Sequence, residues 1–316
     1  MTIPENSLTI IRLLKIKGVG QAKIWSIYNY LEKKRIGFSE FFSSNDNLPM
    51  FLNQDQINQF MAWENNLKDF KDILESHNIH VLTICDQNYP QILIKSLGKK
   101  SPPVLYLKGN IELLNKVSIG FCGSRQASLQ GLNIAKGTAE LLIQNNINLV
   151  SGYANGVDLE IHKTALESSG TTVFVLPEGI LNFRIKNVLE KHWDWNNVLV
   201  VSQFDINDSW SVGNAMTRNN VICGLSEAMV LIEARETGGS MAAGKLCLEI
   251  NIPLFVAGVK DKTDFNTGNY ILIKQGAIPF GKNKYSDLPK VDAILEKIKR
   301  GVNTHSSFEQ NLVKLS

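Results

Sequence analysis

The 316-residue chain contains no apolar run near the roughly 18–20 residues that a membrane-crossing helix needs, so no membrane partner is expected. It has little cysteine. Cys85, Cys122, Cys223 and Cys247 are the only four, and no two are spaced C-x-x-C. That argues against a zinc site or a disulfide framework. Each lies in or beside an apolar run, as buried thiols of a reducing cytoplasm do. The first twenty residues carry an early acid and lysines within their apolar stretch, unlike a signal peptide. An excess of one charge is also missing: 33 Lys and Arg face 30 Asp and Glu, a formal +3. A nucleic-acid role must therefore come from where the cations sit. Two phosphate signatures are absent. There is no G-x-x-x-x-G-K-[ST], and the first glycine-rich turn reads G-F-C-G-S-R, not G-x-G-x-x-G. A nucleotide-dependent dehydrogenase or a P-loop enzyme is thereby disfavoured.

What is present divides the chain into parts. Residues 1–78 alternate helical patterns with short polar breaks. Residues 79–116 read as a connector holding Pro90, Pro102 and Pro103. Residues 117–281 read as a Rossmann-like domain, and 282–316 as a short tail with a basic patch. In the central part, strand-length apolar runs recur at Val117–Cys122, Ile147–Val150, Thr172–Leu176, Val198–Ser202, Ala228–Glu233 and Pro253–Ala257, with helical patterns such as 128–144 and 157–168 between them. Alternation of this kind predicts an α/β fold, a doubly wound and mostly parallel sheet preceded by a small helical domain. Runs that are continuously apolar fit strands buried on both faces. In such sheets the ligand sits beyond the carboxyl ends of the strands.

The residues just past those ends are small or polar. Gly123-Ser124-Arg125 follows the first run, Ser151-Gly152 the second, Pro177-Glu178-Gly179 the third, and Thr237-Gly238-Gly239-Ser240 the fifth. Glycine allows close backbone approach, and an adjoining helix N-terminus offers free N–H groups to an anion. Together these loops predict a phosphate-holding crevice with Arg125 as its cation. Asp158 and His162, four apart on a helix, are expected to brace a loop, with an acid–base pair as the alternative. Arg218-Asn219-Asn220 is read as a helix start that either contacts phosphate or is simply solvated. At the N-terminus, Leu13–Ile24 has the look of a helix-hairpin-helix around Gly18-Val19-Gly20. Residues 1–40 carry seven bases and three acids, a net +4.

Taken in order, Gly123-Ser124-Arg125, S-G-Y-A-N-G-V-D-x-x-x-H at 151–162, T-R-N-N-V-I-C-G-L-S at 217–226 and Thr267-Gly268-Asn269 resemble the DNA-processing protein A (DprA, or Smf) family. Tyr89-Pro90 and P-V-L-Y-L-K-G-N at 103–110 extend the resemblance into the connector. It implies a homodimer that binds single-stranded DNA, loads the RecA recombinase onto it during DNA uptake, needs no cofactor and is not an enzyme. By resemblance, Gly123, Ser124, Arg125, Ser151, Gly152, Lys186, Asn187, Arg218, Asn219, Gly239 and Ser240 would line the DNA groove, supported by Asp158 and His162. Tyr153 and Phe183 are candidate stacking platforms. The chain departs from the family pattern at Asn155, where Arg or Lys is usual, at Asn220, where a second Arg is usual, and at Arg184, which offers a replacement cation. The alternative is a sensor of nucleotide-derived ligands on the same fold. The related phosphoribohydrolases place a catalytic glutamate where this chain has Lys245, which argues against hydrolysis.

Overall fold

A computed structural model describes residues 3–258, 266–283 and 288–298. Its strands are β1 (His80–Thr83), β2 (Val104–Gly109), β3 (Ser118–Cys122), β4 (Asn148–Ser151), β5 (Thr172–Val175), β6 (Val198–Ser202), β7 (Ala228–Leu231), β8 (Leu254–Ala257) and β9 (Ile278–Phe280). They form one sheet in the order β1-β2-β6-β5-β4-β3-β7-β8-β9. From β6 to β9 every pairing is parallel, while β1–β2 and β2–β6 are antiparallel. The six apolar runs of the central region are β3 to β8, within a residue or two at each end. The segment 79–116, expected as a connector, supplies β1 and β2 to that same sheet, with Tyr106 opposite Ser202 and Leu107 opposite Val201.

The helices are α1 (Glu5–Leu14), α2 (Gln21–Lys34), α3 (Phe38–Ser43), α4 (Gln54–Ala62), α5 (Leu67–Ser76), α6 (Gln91–Leu97), α7 (Leu129–Gln144), α8 (Val157–Glu167), α9 (Asn187–Glu190), α10 (Val212–Gly224), α11 (Gly239–Glu249) and α12 (Thr267–Lys274). Because side chains alternate across a strand, successive residues feed opposite cores. Val150, Val173, Leu199, Met229 and Leu231 pack with α6, α10, α11 and α12. Ile119, Phe121, Leu149 and Val230 pack with α7 and α8, joined by Val291, Ile294 and Ile298. The expected tail therefore begins with a helical stretch, 292–298, that closes this second core. Half of its basic patch, Lys284, Lys299 and Arg300, lies outside the described residues.

Helix α1 carries apolar residues on two stripes. Ile10 and Leu13 enter one core, and Leu8 and Ile11 enter a third core with Phe70, Val81, Tyr106 and Phe174. The small helical domain is thus seated on the sheet. Gly18, at φ +80°, turns the chain between α1 and α2. The hairpin amides are partly taken: Lys17 N–H donates to Gln59 Oε1 at 3.0 Å, and Val19 N–H to Ile16 O. Two of the N-terminal cations are also engaged within the protein. Arg12 pairs with Glu64 at 2.6 Å and lies 4.0 Å over the Phe60 ring, while Lys15 pairs with Asp205.

Candidate functional site

The strand order reverses at β3. From there the chain runs outward through β4, β5 and β6, then crosses back through α10 to β7 on the other side. At such a switch point the loops diverge and leave a crevice beyond the strand ends. Here it is a cleft of about 500 Å3 lined by Gly123, Ser124, Arg125, Arg218, Asn219, Gly238, Gly239 and Ser240, among others. A second cleft of about 520 Å3 adjoins it, lined by Tyr153, Asn155, Glu178 and Lys186. Arg125, Gln126, Ala154, Trp210 and Arg218 line both, so the two form one groove.

Glycines shape this groove by contact. A Cβ on Gly123 would lie 2.4 Å from Val157 Cγ2, so glycine lets α8 close onto the end of β3. Gly156 takes φ +77°, and a Cβ there would lie 2.2 Å from the Ser124 carbonyl. Val157 N–H donates to that same carbonyl at 3.3 Å. The 123–125 turn is therefore fixed from below, and Arg125 projects from it, exposed, with no hydrogen bond or ion pair among the described residues.

Arg218 differs from its sequence reading. The expected helix start at 218–220 is in fact the second turn of α10, which begins at Val212 with Ser211 capping Asn214 N–H. That register turns Arg218 toward the sheet, where it is 5% exposed. Its Nη1 donates to Val175 O at 2.9 Å, and Nη2 lies 3.9 Å from Asp158 Oδ2. Its Nε–H has no partner among the described residues. Burial lowers the guanidinium pKa, and Asp158 opposes that shift. Burial likewise raises the Asp158 carboxyl above its usual range, against the pull of Arg218, Ala154 N–H and Ser151 Oγ. A Cβ on Gly152 would fall 1.6 Å from Arg218 Nη1, which explains a glycine at that position.

Ser151 is a floor residue, not a groove residue: it is fully buried, and its hydroxyl donates to Phe121 O or Asp158 Oδ1. His162 is also fully buried. Its Nε2 donates to Gly152 O at 2.6 Å, its Nδ1 meets Thr172 Oγ1 at 2.7 Å, and its ring stacks on Phe174 at 3.6 Å. Burial holds its pKa down to about 3, so it is neutral at pH 7. Asp158 and His162 thus brace the loop after β4 from within the protein.

Lys186 Nζ donates to Asn155 Oδ1 at 3.0 Å and lies 4.5 Å over the Tyr153 ring. Asn155, where a cation was expected from the resemblance, instead positions the neighbouring one. Asn187 opens the four-residue α9, is exposed and lines neither cleft. Arg184 folds back onto Leu181 O and Phe183 O, so it replaces no groove cation. Tyr153 and Phe183, the expected platforms, pack with Phe174 at 5.3 and 6.2 Å.

Two contributors, Trp210 and Glu233, are not marked by the sequence. Trp210 lines both clefts and is 48% exposed; it follows β6, whose loop holds no glycine run to mark it. Glu233 is 3% exposed, and its carboxylate accepts from Ser128 N–H at 2.8 Å and from the Ser128 hydroxyl. It closes the N-terminus of α7, the helix where a phosphate was expected. The N-terminus of α11 carries no side-chain cap, has Gly238 at φ +107°, and faces the first cleft. Asn269 joins three chain segments, accepting from Ala234 N–H and donating to Ile232 O and Ala257 O.

Comparison with known proteins places this arrangement. The chain is 28% identical over 207 residues to Protein Smf of Synechocystis, covering 63% of this chain and 51% of that one. It is 29% identical over 198 residues to the DNA processing protein DprA of Streptococcus pneumoniae, covering 62% and 68%. The chain thus spans about half the length of the Synechocystis relative. The crystal structure of the pneumococcal DprA matches its fold with a TM-score of 0.71 at 24% identity, over 88% of this chain and 95% of that one. A Helicobacter pylori DprA structure, described in terms of its single-stranded DNA binding mode, matches with a TM-score of 0.57 at 22% identity, over 72% and 96%. The family described as DNA recombination-mediator protein A matches residues 80–288, from the first strand of the sheet to beyond the last, and the chain belongs to that family.

Proposed function

We propose that this protein binds single-stranded DNA along the joined clefts and acts there as a recombination mediator, protecting the strand and loading RecA onto it. The observation that carries the reading is Arg125: an uncommitted guanidinium on a rigid turn where two clefts meet, beside the open N-terminus of α11. Guanidinium and helix amides suit phosphate oxygens. Trp210 supplies a face for a base, and unpaired bases are what single strands offer to aromatic rings. The names of the relatives support the same assignment. Action by binding, without catalysis, accords with Asp158 and His162 being committed to the loop they brace. A homodimer and RecA as partner belong to the proposal.

The test is fluorescence anisotropy with a labelled oligo-dT strand and the matching duplex. Single-strand binding is expected to be the tighter and to weaken with salt, the slope growing by about 0.7 per phosphate neutralised. Arg125→Ala is expected to weaken it strongly with the unfolding midpoint unchanged. Indifference to Arg125 would refute the reading. A second reading, a sensor of a nucleotide-derived ligand, is favoured by the second cleft, whose size lies in the range of small-molecule sites. Thermal stabilisation by mononucleotides without any effect of single-stranded DNA would select it.

A further inference from the structure

One group in the groove is at odds with a purely phosphate-reading surface. Glu178 lines the second cleft together with Arg125, Lys186, Asn155 and Trp210. Its carboxylate makes no hydrogen bond or ion pair among the described residues, although the charge of Arg184 acts on it from nearby. A carboxylate standing free in a channel for a polyanion repels the ligand unless it meets a donor. Its position is also well fixed. Ser202 Oγ donates to Glu178 O at 2.7 Å, and Gly179 N–H donates to Asp208 O at 2.8 Å. A Cβ on Gly179 would lie 2.2 Å from Asp205 O, so the 177–179 turn and the 205–208 loop are in close contact. That second loop leads directly to Trp210. A side chain with a flat aromatic face and a side chain with two acceptor oxygens are therefore carried on two loops locked to each other, beside the cation that takes the phosphate.

Stacking plus an edge reader makes a base site. The acceptor pair of a carboxylate selects an edge with two adjacent donors. Guanine presents N1–H and N2–H2 side by side. Adenine and cytosine each present one amino group next to a ring-nitrogen acceptor, and thymine presents one N–H between two carbonyls. The Asn155 amide left over after its Oδ1 accepts from Lys186 is available for guanine O6. We propose that the second cleft is a guanine-selective base pocket, in which Glu178 accepts from the Watson–Crick edge and Trp210 stacks on the ring. This rests on the proposed binding of single-stranded DNA, which it refines. Burial raises the Glu178 pKa against the opposing charge of Arg184, so acidification, by protonating the acceptor, is expected to weaken the preference.

The experiment uses the full chain and oligo-dT strands that carry one central dG, deoxyinosine, dA or dC. The dG strand is expected to bind about tenfold more tightly than plain oligo-dT, the scale of one good bidentate base contact. Deoxyinosine, which lacks the N2 amino group, is expected to fall between. In Glu178→Gln the order dG, inosine, dT is expected to collapse. The proposal is overturned if the wild type ranks the four strands equally, or if Glu178→Gln leaves the ranking intact. It is also overturned if the preference depends on Mg2+ and vanishes with EDTA, since Glu178 would then serve a cation. Because plain oligo-dT reads single-strand binding by itself, failure of the guanine preference and failure of the DNA reading give different results.

Discussion

Two arginines point to the same groove and should fail in opposite ways. Arg218→Ala removes a guanidinium that is 5% exposed, donates to Val175 O at 2.9 Å and lies 3.9 Å from Asp158. The charged hydrogen bond alone is worth about 1.5–3 kcal/mol. The substitution also strands Asp158, whose remaining donors are Ala154 N–H at 3.3 Å and Ser151 Oγ at 3.2 Å. Leaving one member of a buried pair unmatched typically costs about 3–5 kcal/mol, and protonation of Asp158 relieves part of it. A loss of about 3 kcal/mol is therefore expected in urea unfolding followed by circular dichroism, seen as a lower midpoint at unchanged slope. Arg125→Ala removes no hydrogen bond or ion pair among the described residues and is expected to stay within about 0.5 kcal/mol of wild type while losing DNA. Asp158→Asn with Arg218→Met, which removes both charges, should recover part of the stability. If Arg218→Ala instead unfolds like wild type and loses oligo-dT as completely as Arg125→Ala, the guanidinium is a DNA ligand and its role as a brace is refuted.

Other outcomes follow from the same geometry. His162 is held neutral in the folded protein down to about pH 3, whereas in the unfolded chain it gains a proton near pH 6.5. Stability is therefore expected to fall as pH drops below about 6.5, by at most about 1.4 kcal/mol per pH unit. His162→Gln should flatten that slope. Asp158, with its raised carboxyl, contributes in the opposite sense in acid, so the histidine slope is read as the difference between the two proteins. Gly156→Ala places a Cβ 2.2 Å from Ser124 O at φ +77°; a loss of about 1–3 kcal/mol is expected by thermal unfolding, with weaker oligo-dT binding because the Arg125 turn shifts. Glu233→Ala uncovers the N-terminus of α7 and is expected to cost about 1–3 kcal/mol, measurable as faster amide exchange at the start of that helix.

The core of the sheet was legible because its strands are buried on both faces, so apolar runs mark them without any need of alternation. The residues after those runs led to Gly123, Arg125 and Gly239 for the same topological reason. The two antiparallel strands were not legible. Prolines at 90, 102 and 103 punctuate the segment, and the pairing of Leu107 with Val201 spans a separation that no local pattern records. Arg218 is misplaced from sequence because the first turn of α10 holds Gly213 and Asn214, both poor helix formers, so the pattern puts the helix start a turn and a half late. Glu233 closes a helix that lies a hundred residues earlier, and Trp210 is a single aromatic in a polar loop. Both gain meaning only when distant segments meet.

Helix α1 contributes Ile10 and Leu13 to one side of the sheet and Leu8 and Ile11 to the other. A helix that straddles an edge in this way works as a keystone. Cutting the chain before the family-matched part, at residue 79, would open both cores at once and leave Tyr106, Leu107 and Phe174 facing water. The segment that looks most like a detachable module is thus a shared part of the hydrophobic interior. A truncated protein that failed to bind DNA would report on lost folding, not on any contact made by the N-terminal helices. Point substitutions at Lys17, Lys33 or Lys34, which leave the keystone in place, are the appropriate way to ask what those helices touch.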